Sequence, residues 1–121
     1  MARFPIRFTG ANKAMVVLGL AQRNSYVDVT ENDAVVRMGW AFRATIPRSA
    51  IRSVTPDIGR VLGWGVHGWR GEWLVNGSSS GIVRVEIEPA ARARVTGIAV
   101  KLRVLRVSVD DPEGLQVALS A

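Results

Sequence analysis

The amino-acid sequence predicts a mainly-β fold of about seven short strands, followed by one short C-terminal helix. Apolar and polar residues alternate with a period of two along several segments, Gly, Pro, Asn and Asp divide these segments, and a helix-start signal stands near the end. When the period is two residues, alternate side chains point to opposite faces of a strand, so that one face can be buried. The 121 residues contain no internal repeat and no long linker, and we therefore expect one domain over residues 1–121.

The N-terminal part predicts two strands separated by an ambiguous segment. Arg3–Thr9 is typical of a first strand, and Tyr26–Thr30 alternates as a half-buried strand does. Lys13–Leu20 fits a short helix or a strand, and its Ala, Met and Leu content favours the helix. Glu31–Asp33 predicts a turn, because Asn and Asp side chains bond to their own backbone.

The clearest alternation runs between residues 36 and 46. A glycine in the middle of this run predicts two strands joined by a tight turn around Gly39–Ala41, and Pro47 ends the second strand because proline cannot donate to a sheet. A further short strand is expected at Ile51–Val54. The positions predicted to face the core are Val36, Met38, Trp40, Phe42, Ala44 and Ile46.

The middle of the chain predicts a β-hairpin followed by a loop. Trp73–Val75 and Ile82–Glu88 have the composition of strands, and the polar segment Asn76–Gly81 between them predicts the connecting turn. The basic segment Ala90–Gly97 is then expected to be a loop.

The C-terminal part predicts a last strand and a helix. In Val100–Val109 the apolar positions change from even to odd midway, which is typical of a strand bent by a β-bulge. Asp111 can cap a helix that has Pro112 at its first position. One face of this helix carries Leu115, Ala118 and Leu119.

Four stretches of the sequence stand out together: Val35–Gly39, Phe42–Pro47 leading to Ile51, Trp73–Ser78 and Val107–Glu113. They resemble the bacterial pleckstrin-homology-like (PH-like) domains, and more narrowly small actinobacterial proteins of that type. The resemblance extends over residues 25–119. It implies a strongly bent, partly open antiparallel barrel closed at one end by the C-terminal helix, and it implies no catalytic residues. The basic phosphoinositide signature of eukaryotic members is not identifiable.

Composition excludes several classes of protein. The absence of cysteine excludes disulfides, thiolate nucleophiles and zinc sites built on sulfur. No apolar run approaches the roughly 18 residues of a membrane span, and Ala14–Ala21 is followed by Arg23 and Asn24 where a signal-peptide cleavage site needs small residues. We therefore expect a cytoplasmic protein without an integral membrane segment.

No catalytic, metal-binding or cofactor-binding group is predicted. His67 is the sole histidine and has neither a cysteine nor a second histidine to complete a metal site, so we interpret it as a loop residue. Ser78, Ser79 and Ser80 lack the motif of a nucleophile elbow and are interpreted as a solvated hairpin tip. Asp110 and Asp111 are interpreted as helix-start residues.

A basic segment and a group of tryptophans remain as candidate binding surfaces. The formal net charge is +6, and 14 of the 16 basic residues are arginine, a bias that a GC-rich genome also produces. Trp64 and Trp69 fit an interface and core filling equally well, whereas Trp40 and Trp73 are expected in the core or at its edge. The basic residues that no acid interrupts are Arg92, Arg94, Lys101, Arg103 and Arg106, and Arg37 and Arg43 extend them if their strands are adjacent.

These features predict a non-enzymatic binding module. The first hypothesis is a protein or peptide partner bound around Trp64, His67 and Trp69 or along an exposed sheet edge. The alternative is an anionic ligand, a lipid surface or a nucleic acid bound by the basic residues. A homo-oligomer formed through edge strands is also left open. For the alternative, the candidate binding residues are Arg92, Arg94, Lys101 and Arg103.

Overall fold

The predicted mainly-β fold is confirmed. A computed structural model describes residues 2–8, 24–57, 65–76, 78 and 80–120, and the ambiguous segment Lys13–Leu20 lies outside them. In this part of the chain nine strands form one curled sheet, with one C-terminal helix. The elements are β1 Ala2–Pro5, β2 Ser25–Val29, β3 Asp33–Met38, β4 Phe42–Pro47, β5 Ile51–Pro56, β6 Gly65–Trp69, β7 Glu72–Asn76, β8 Ile82–Val95, β9 Ile98–Ser108 and α1 Pro112–Ser120.

Strands β2, β3 and β4 form an antiparallel meander whose alternation agrees with the sequence. Val36 and Ala44 lie opposite each other and are both buried. The predicted turn Gly39–Ala41 is confirmed, because Met38 pairs with Phe42 across it. The expected inward position of Trp40 is wrong. This residue stands at the tip of the turn, where the strand alternation is interrupted, and 58% of its surface is exposed.

The long strand β8 is the centre of the sheet. Its first half pairs with β5 and its second half with β4, while β9 runs along its other side. The predicted loop at Ala90–Gly97 is therefore wrong: β8 continues to Val95, and only Thr96 and Gly97 turn. The alternation of buried Ala91 and Ala93 with exposed arginines accounts for this strand, because small apolar residues can face the core between charged ones.

The predicted hairpin between Trp73–Val75 and Ile82–Glu88 is also wrong. Strand β7 pairs with β6 and, in parallel, with β9, which lies between β7 and β8. The connection to β8 passes the end of β9, where the Val109 amide donates to the Gly81 carbonyl oxygen at 2.9 Å. A Cβ at Gly81 would lie 2.6 Å from the Val109 carbonyl oxygen, so this close crossing requires glycine.

The change of face along β9 is confirmed. Leu102 is buried at an even position and Leu105 at an odd one. The pairing of β8 with β9 is irregular at this point. Its two flanking pairs are Glu86 of β8 with Val104 of β9, and Ala91 of β8 with Leu102 of β9. More residues of β8 than of β9 separate these pairs, so the additional residues bend β8 rather than β9.

An isolated bridge joins the chain after the edge strand β1 to the chain after β9. Ile6, just after β1, pairs with Val109, just after β9, and two backbone hydrogen bonds of 2.9 and 3.1 Å flank the bridge. The curled, partly open sheet expected from the sequence is thus observed. The largest side chains buried inside the curl are Ile6, Met38, Phe42, Ile46, Leu102, Leu105 and Leu115.

The C-terminal helix begins and packs as predicted. The Asp111 carboxylate accepts a hydrogen bond of 3.0 Å from the Gly114 amide, which is a side-chain cap. Leu115 and Leu119 are buried against the core. In the described part of the chain, no helix has the length and apolar character required to cross a bilayer.

Candidate functional site

Three arginines lie side by side on the outer surface of three neighbouring strands. The register places Arg37 of β3 opposite Arg43 of β4, and Arg43 opposite Arg94 of β8. Directly opposite residues have Cβ atoms only about 4.5–5.5 Å apart, so these side chains are close neighbours. The strands that the sequence only suggested to be near are therefore hydrogen-bonded to one another.

A second row of the same surface adds two more positive charges. Arg92 of β8 pairs with Lys101 of β9 on one side and with Thr45 of β4 on the other. Arg92 and Lys101 are both exposed. We call this surface the arginine face and define it as Arg37, Arg43, Arg92, Arg94 and Lys101.

The local sequence explains why these side chains point outwards. The charged residues of the arginine face have buried apolar neighbours in the chain. These neighbours include Ala44, Ala93 and Leu102. Because neighbouring side chains on a strand point to opposite faces, burial of these apolar residues forces the charged ones to the outer surface.

No carboxylate neutralises the arginine face. All ten acidic residues lie in the described part of the chain, where four ion pairs occur and none of them involves the arginine face.

Other arginines have acidic partners. The two hydrogen bonds from Arg3 to Asp28, each 2.7 Å, raise the pKa of the Arg3 guanidinium above its ordinary value. The four ion pairs join Arg3 to Asp28, Arg7 to Asp110, Arg84 to Glu72 and Arg106 to Asp57.

Two of the arginines are oriented by backbone carbonyl groups of neighbouring turns. Arg94 Nη1 donates to the Gly97 carbonyl oxygen at 3.0 Å, and Arg37 Nε donates to the Gly39 carbonyl oxygen at 3.3 Å. A guanidinium has five N–H donors, so each of these bonds leaves further donors for a ligand.

The surface contains two adjacent shallow depressions. Arg43 and Arg94 contribute to both of them. The first, of about 300 Å³, is also lined by Thr45 and Arg92. The second, of about 220 Å³, is also lined by Arg37 and the exposed Trp40. The depressions are open and basic, which suits an extended anion better than a small buried substrate.

The structure divides the basic residues that the sequence grouped together. Arg92, Arg94 and Lys101 lie on the arginine face. Arg103 instead lines a separate depression of about 450 Å³ together with Arg52 and two glutamates, and Arg106 is hydrogen-bonded to Asp57. Arg103 is exposed on the same face of β9 as Lys101, as expected from the sequence, but lies beside the irregular pairing of β8, whereas Arg106 follows the change of face along β9.

The aromatic candidates have different outcomes. Trp64 lies outside the described residues. The backbone of His67 and Trp69 belongs to β6, opposite Leu74 and Glu72, so the interpretation of His67 as a loop residue is wrong. Sequence reasoning missed Trp40 as a surface residue. The signal that could have identified it was its place at the centre of the predicted turn, because turn residues lie at the surface.

The guanidinium groups of the arginine face offer hydrogen-bond donors and positive charge to an anion. Ser78 is fully buried, which corrects its interpretation as part of a solvated tip, and its Oγ lies 3.1 Å from that of Ser80. Among the described residues, no three His, Cys, Asp or Glu side chains come together as a metal site. Guanidinium groups in a row can instead donate paired hydrogen bonds to phosphate oxygens.

Comparison with protein-family models, with curated proteins and with solved structures finds no match to this chain. The resemblance to the PH-like domains therefore depends on the sequence stretches given above.

Proposed function

We propose that this protein is a non-enzymatic binding module whose arginine face holds an anionic, phosphate-bearing ligand. The observation that carries the proposal is the register of Arg37, Arg43 and Arg94 in three adjacent strands with no acidic partner. On the sequence stretches quoted above, membership of the bacterial PH-like domains is part of the proposal, and the curled sheet with its C-terminal helix is in keeping with it.

Like charges of the arginine face repel one another across neighbouring strands. Like charges directly opposite each other destabilise a β-sheet, by roughly the 0.2–1 kcal/mol that opposite charges contribute. The Arg43–Arg94 pair and the Arg92–Lys101 pair are both of this kind. A bound phosphate group relieves the repulsion and accepts charge-assisted hydrogen bonds from both members of a pair.

The other hypotheses from the sequence stay predictions. A protein or peptide partner was expected around Trp64, His67 and Trp69, whose side chains lie outside the part of the chain that the structure describes. Pairing through an edge strand, with a partner or with a second copy, and a cytoplasmic location likewise remain expectations from the sequence.

The proposal is tested by titrating the protein with inorganic polyphosphate in an isothermal calorimeter at several salt concentrations. The variant Arg43→Gln with Arg94→Gln removes two charges from the arginine face. We expect its affinity to fall about tenfold or more and its salt dependence to weaken, since each charge-assisted hydrogen bond contributes about 1.5–3 kcal/mol.

The matched control is Arg3→Gln with Arg84→Gln. It removes the same net charge from two arginines that already have carboxylate partners. We expect its affinity to stay within about threefold of the original protein, because exposed charges distant from the ligand are screened by salt. Equal losses in both variants, or no binding of polyphosphate by the original protein at low salt, would contradict the proposal.

A further inference from the structure

Two large apolar side chains are exposed at one end of the sheet. Trp40 is 58% exposed on the β3–β4 turn, and Ile98 is 68% exposed where β9 begins. Exposure of a single apolar residue is ordinary, but two such residues on adjacent turns form a feature that needs an explanation. We call Trp40 and Ile98 the apolar tip.

The backbone holds the two parts of the apolar tip together. The Thr96 amide of the β8–β9 turn donates to the Ala41 carbonyl oxygen of the β3–β4 turn at 2.9 Å. Thr96 and Gly97 both have positive φ, 49° and 86°, which is the conformation of a tight two-residue hairpin turn. Both turns therefore project from the same end of the sheet.

The apolar tip adjoins the arginine face. Trp40 lines the same depression as Arg37, Arg43 and Arg94. The hydrogen bonds of Arg37 to Gly39 and of Arg94 to Gly97 hold both guanidinium groups at the turns of the tip. Apolar side chains thus stand at the end of the sheet with positive charges directly behind them.

We propose that the ligand of the arginine face is the surface of an anionic phospholipid bilayer, which the apolar tip enters. This inference rests on the proposed function and identifies the source of the phosphate groups. Tryptophan favours the headgroup level of a membrane, where its ring is amphipathic, and isoleucine favours the acyl chains below. The arginines behind the tip are then at the level of the lipid phosphates, which attract them electrostatically.

A single-stranded nucleic acid is the ligand class that the tip favours less. Such a ligand would use the arginines and could stack a base on Trp40. Ile98 has no π-face for stacking, so its exposure beside Trp40 is not used by a nucleic acid. A bilayer uses both residues of the apolar tip together with the arginine face.

The test measures co-sedimentation of the protein with vesicles of phosphatidylcholine alone and of phosphatidylcholine mixed with phosphatidylglycerol. We expect binding to the mixed vesicles only. Trp40→Ser with Ile98→Ser should weaken this binding about tenfold or more, because the apolar area transferred from water is lost. Ile98→Ser alone should also weaken vesicle binding and should retain its affinity for inorganic polyphosphate, because Ile98 lines neither depression of the arginine face.

The chain offers a matched control for the loss of an exposed apolar side chain. Val117 is 72% exposed on α1, a helix outside the apolar tip. The variant Val117→Ser should bind mixed vesicles as the original protein does. Thermal unfolding of each variant checks that it is folded, which we expect because all three substituted residues are exposed.

The outcomes separate this inference from the proposed function. Binding of polyphosphate through Arg43 and Arg94 without binding of mixed vesicles would overturn the bilayer inference and leave the proposed function standing. Binding of oligothymidylate that depends on Trp40, again without vesicle binding, would identify a nucleic acid as the ligand. Failure to bind vesicles, oligothymidylate and polyphosphate would overturn both proposals.

Discussion

Two groups of arginines on this protein have opposite surroundings. Four of them bind carboxylates that are distant in the sequence, so that the ion pairs connect different parts of the sheet. Four others lie on the arginine face, beside one another and without an acidic partner in the described part of the chain. The first group is Arg3, Arg7, Arg84 and Arg106; the second is Arg37, Arg43, Arg92 and Arg94.

The different surroundings of the two groups show where positive charge is concentrated, which composition alone cannot show. A formal net charge of +6 and a bias towards arginine fit an evenly distributed charge as well as a concentrated one. The structure shows that the acidic residues neutralise one group and leave the other uncompensated. We infer that the paired arginines contribute to stability, whereas those of the arginine face contribute to binding.

The largest expected effect on stability is at Arg106. Its side chain is 21% exposed and its partner Asp57 13% exposed, so the pair is largely shielded from water. We expect Arg106→Gln to lower the free energy of unfolding by about 1.5–3 kcal/mol, because Asp57 would keep its charge without this partner. Urea denaturation measures the change. A loss no larger than that of Arg43→Gln would remove the distinction between the two groups.

Arg94→Glu should separate stability from binding. The substitution places a carboxylate opposite Arg43 and replaces a repulsive cross-strand pair by an attractive one. We expect the free energy of unfolding to rise by about 0.2–1 kcal/mol while the affinity for polyphosphate falls. Denaturation and calorimetry on the same variant provide both values. A variant that is less stable and binds normally would show that repulsion in the arginine face has been misjudged.

The smallest effect is expected at Arg84. Its Nη1 lies 2.9 Å from Glu72 Oε1, but the two side chains are 36% and 47% exposed. Exposed ion pairs contribute little, so Arg84→Gln should change the free energy of unfolding by no more than about 0.5 kcal/mol. Denaturation in low and high salt checks this value. A large effect that persists in high salt would indicate that exposure is a poor guide to the contribution of these pairs.

Local alternation was sufficient to predict β3 and β4, which carry Arg37 and Arg43, but not the second half of β8, which carries Arg92 and Arg94 and was predicted to be a loop. The period of two predicts the positions of β3 and β4 and the outward direction of Arg37 and Arg43. Gly39 predicts the turn between the two strands. The cap of α1 by Asp111 was equally local. Such features depend on neighbouring residues, which a single sequence displays directly.

Strand order was predicted less well because it depends on distant residues. The sequence around Asn76–Gly81 is compatible with a hairpin, and nothing local indicates that β9 enters between β7 and β8. The close approach of Gly81 to Val109 becomes visible only in the folded chain. A polar, glycine-containing segment therefore predicted a connection, but not which strands would be neighbours.

The candidate site was predicted in part. Arg92, Arg94 and Lys101 were grouped correctly, and Arg37 and Arg43 were named as a conditional extension. The exact cross-strand pairs depend on register, which no composition rule supplies. Arg103 shares the outer face of β9 with Lys101, as predicted, but the irregular pairing of β8 places a different depression beside it.

The most direct test of the central claim is a titration of the isotopically labelled protein with inorganic polyphosphate, followed by amide chemical shifts. We expect the largest shifts at Arg43, Arg94 and Lys101, whereas Arg84 and Arg106 should shift little. Shifts concentrated at the paired arginines, or distributed evenly over all basic residues, would contradict the assignment of the arginine face as the binding surface.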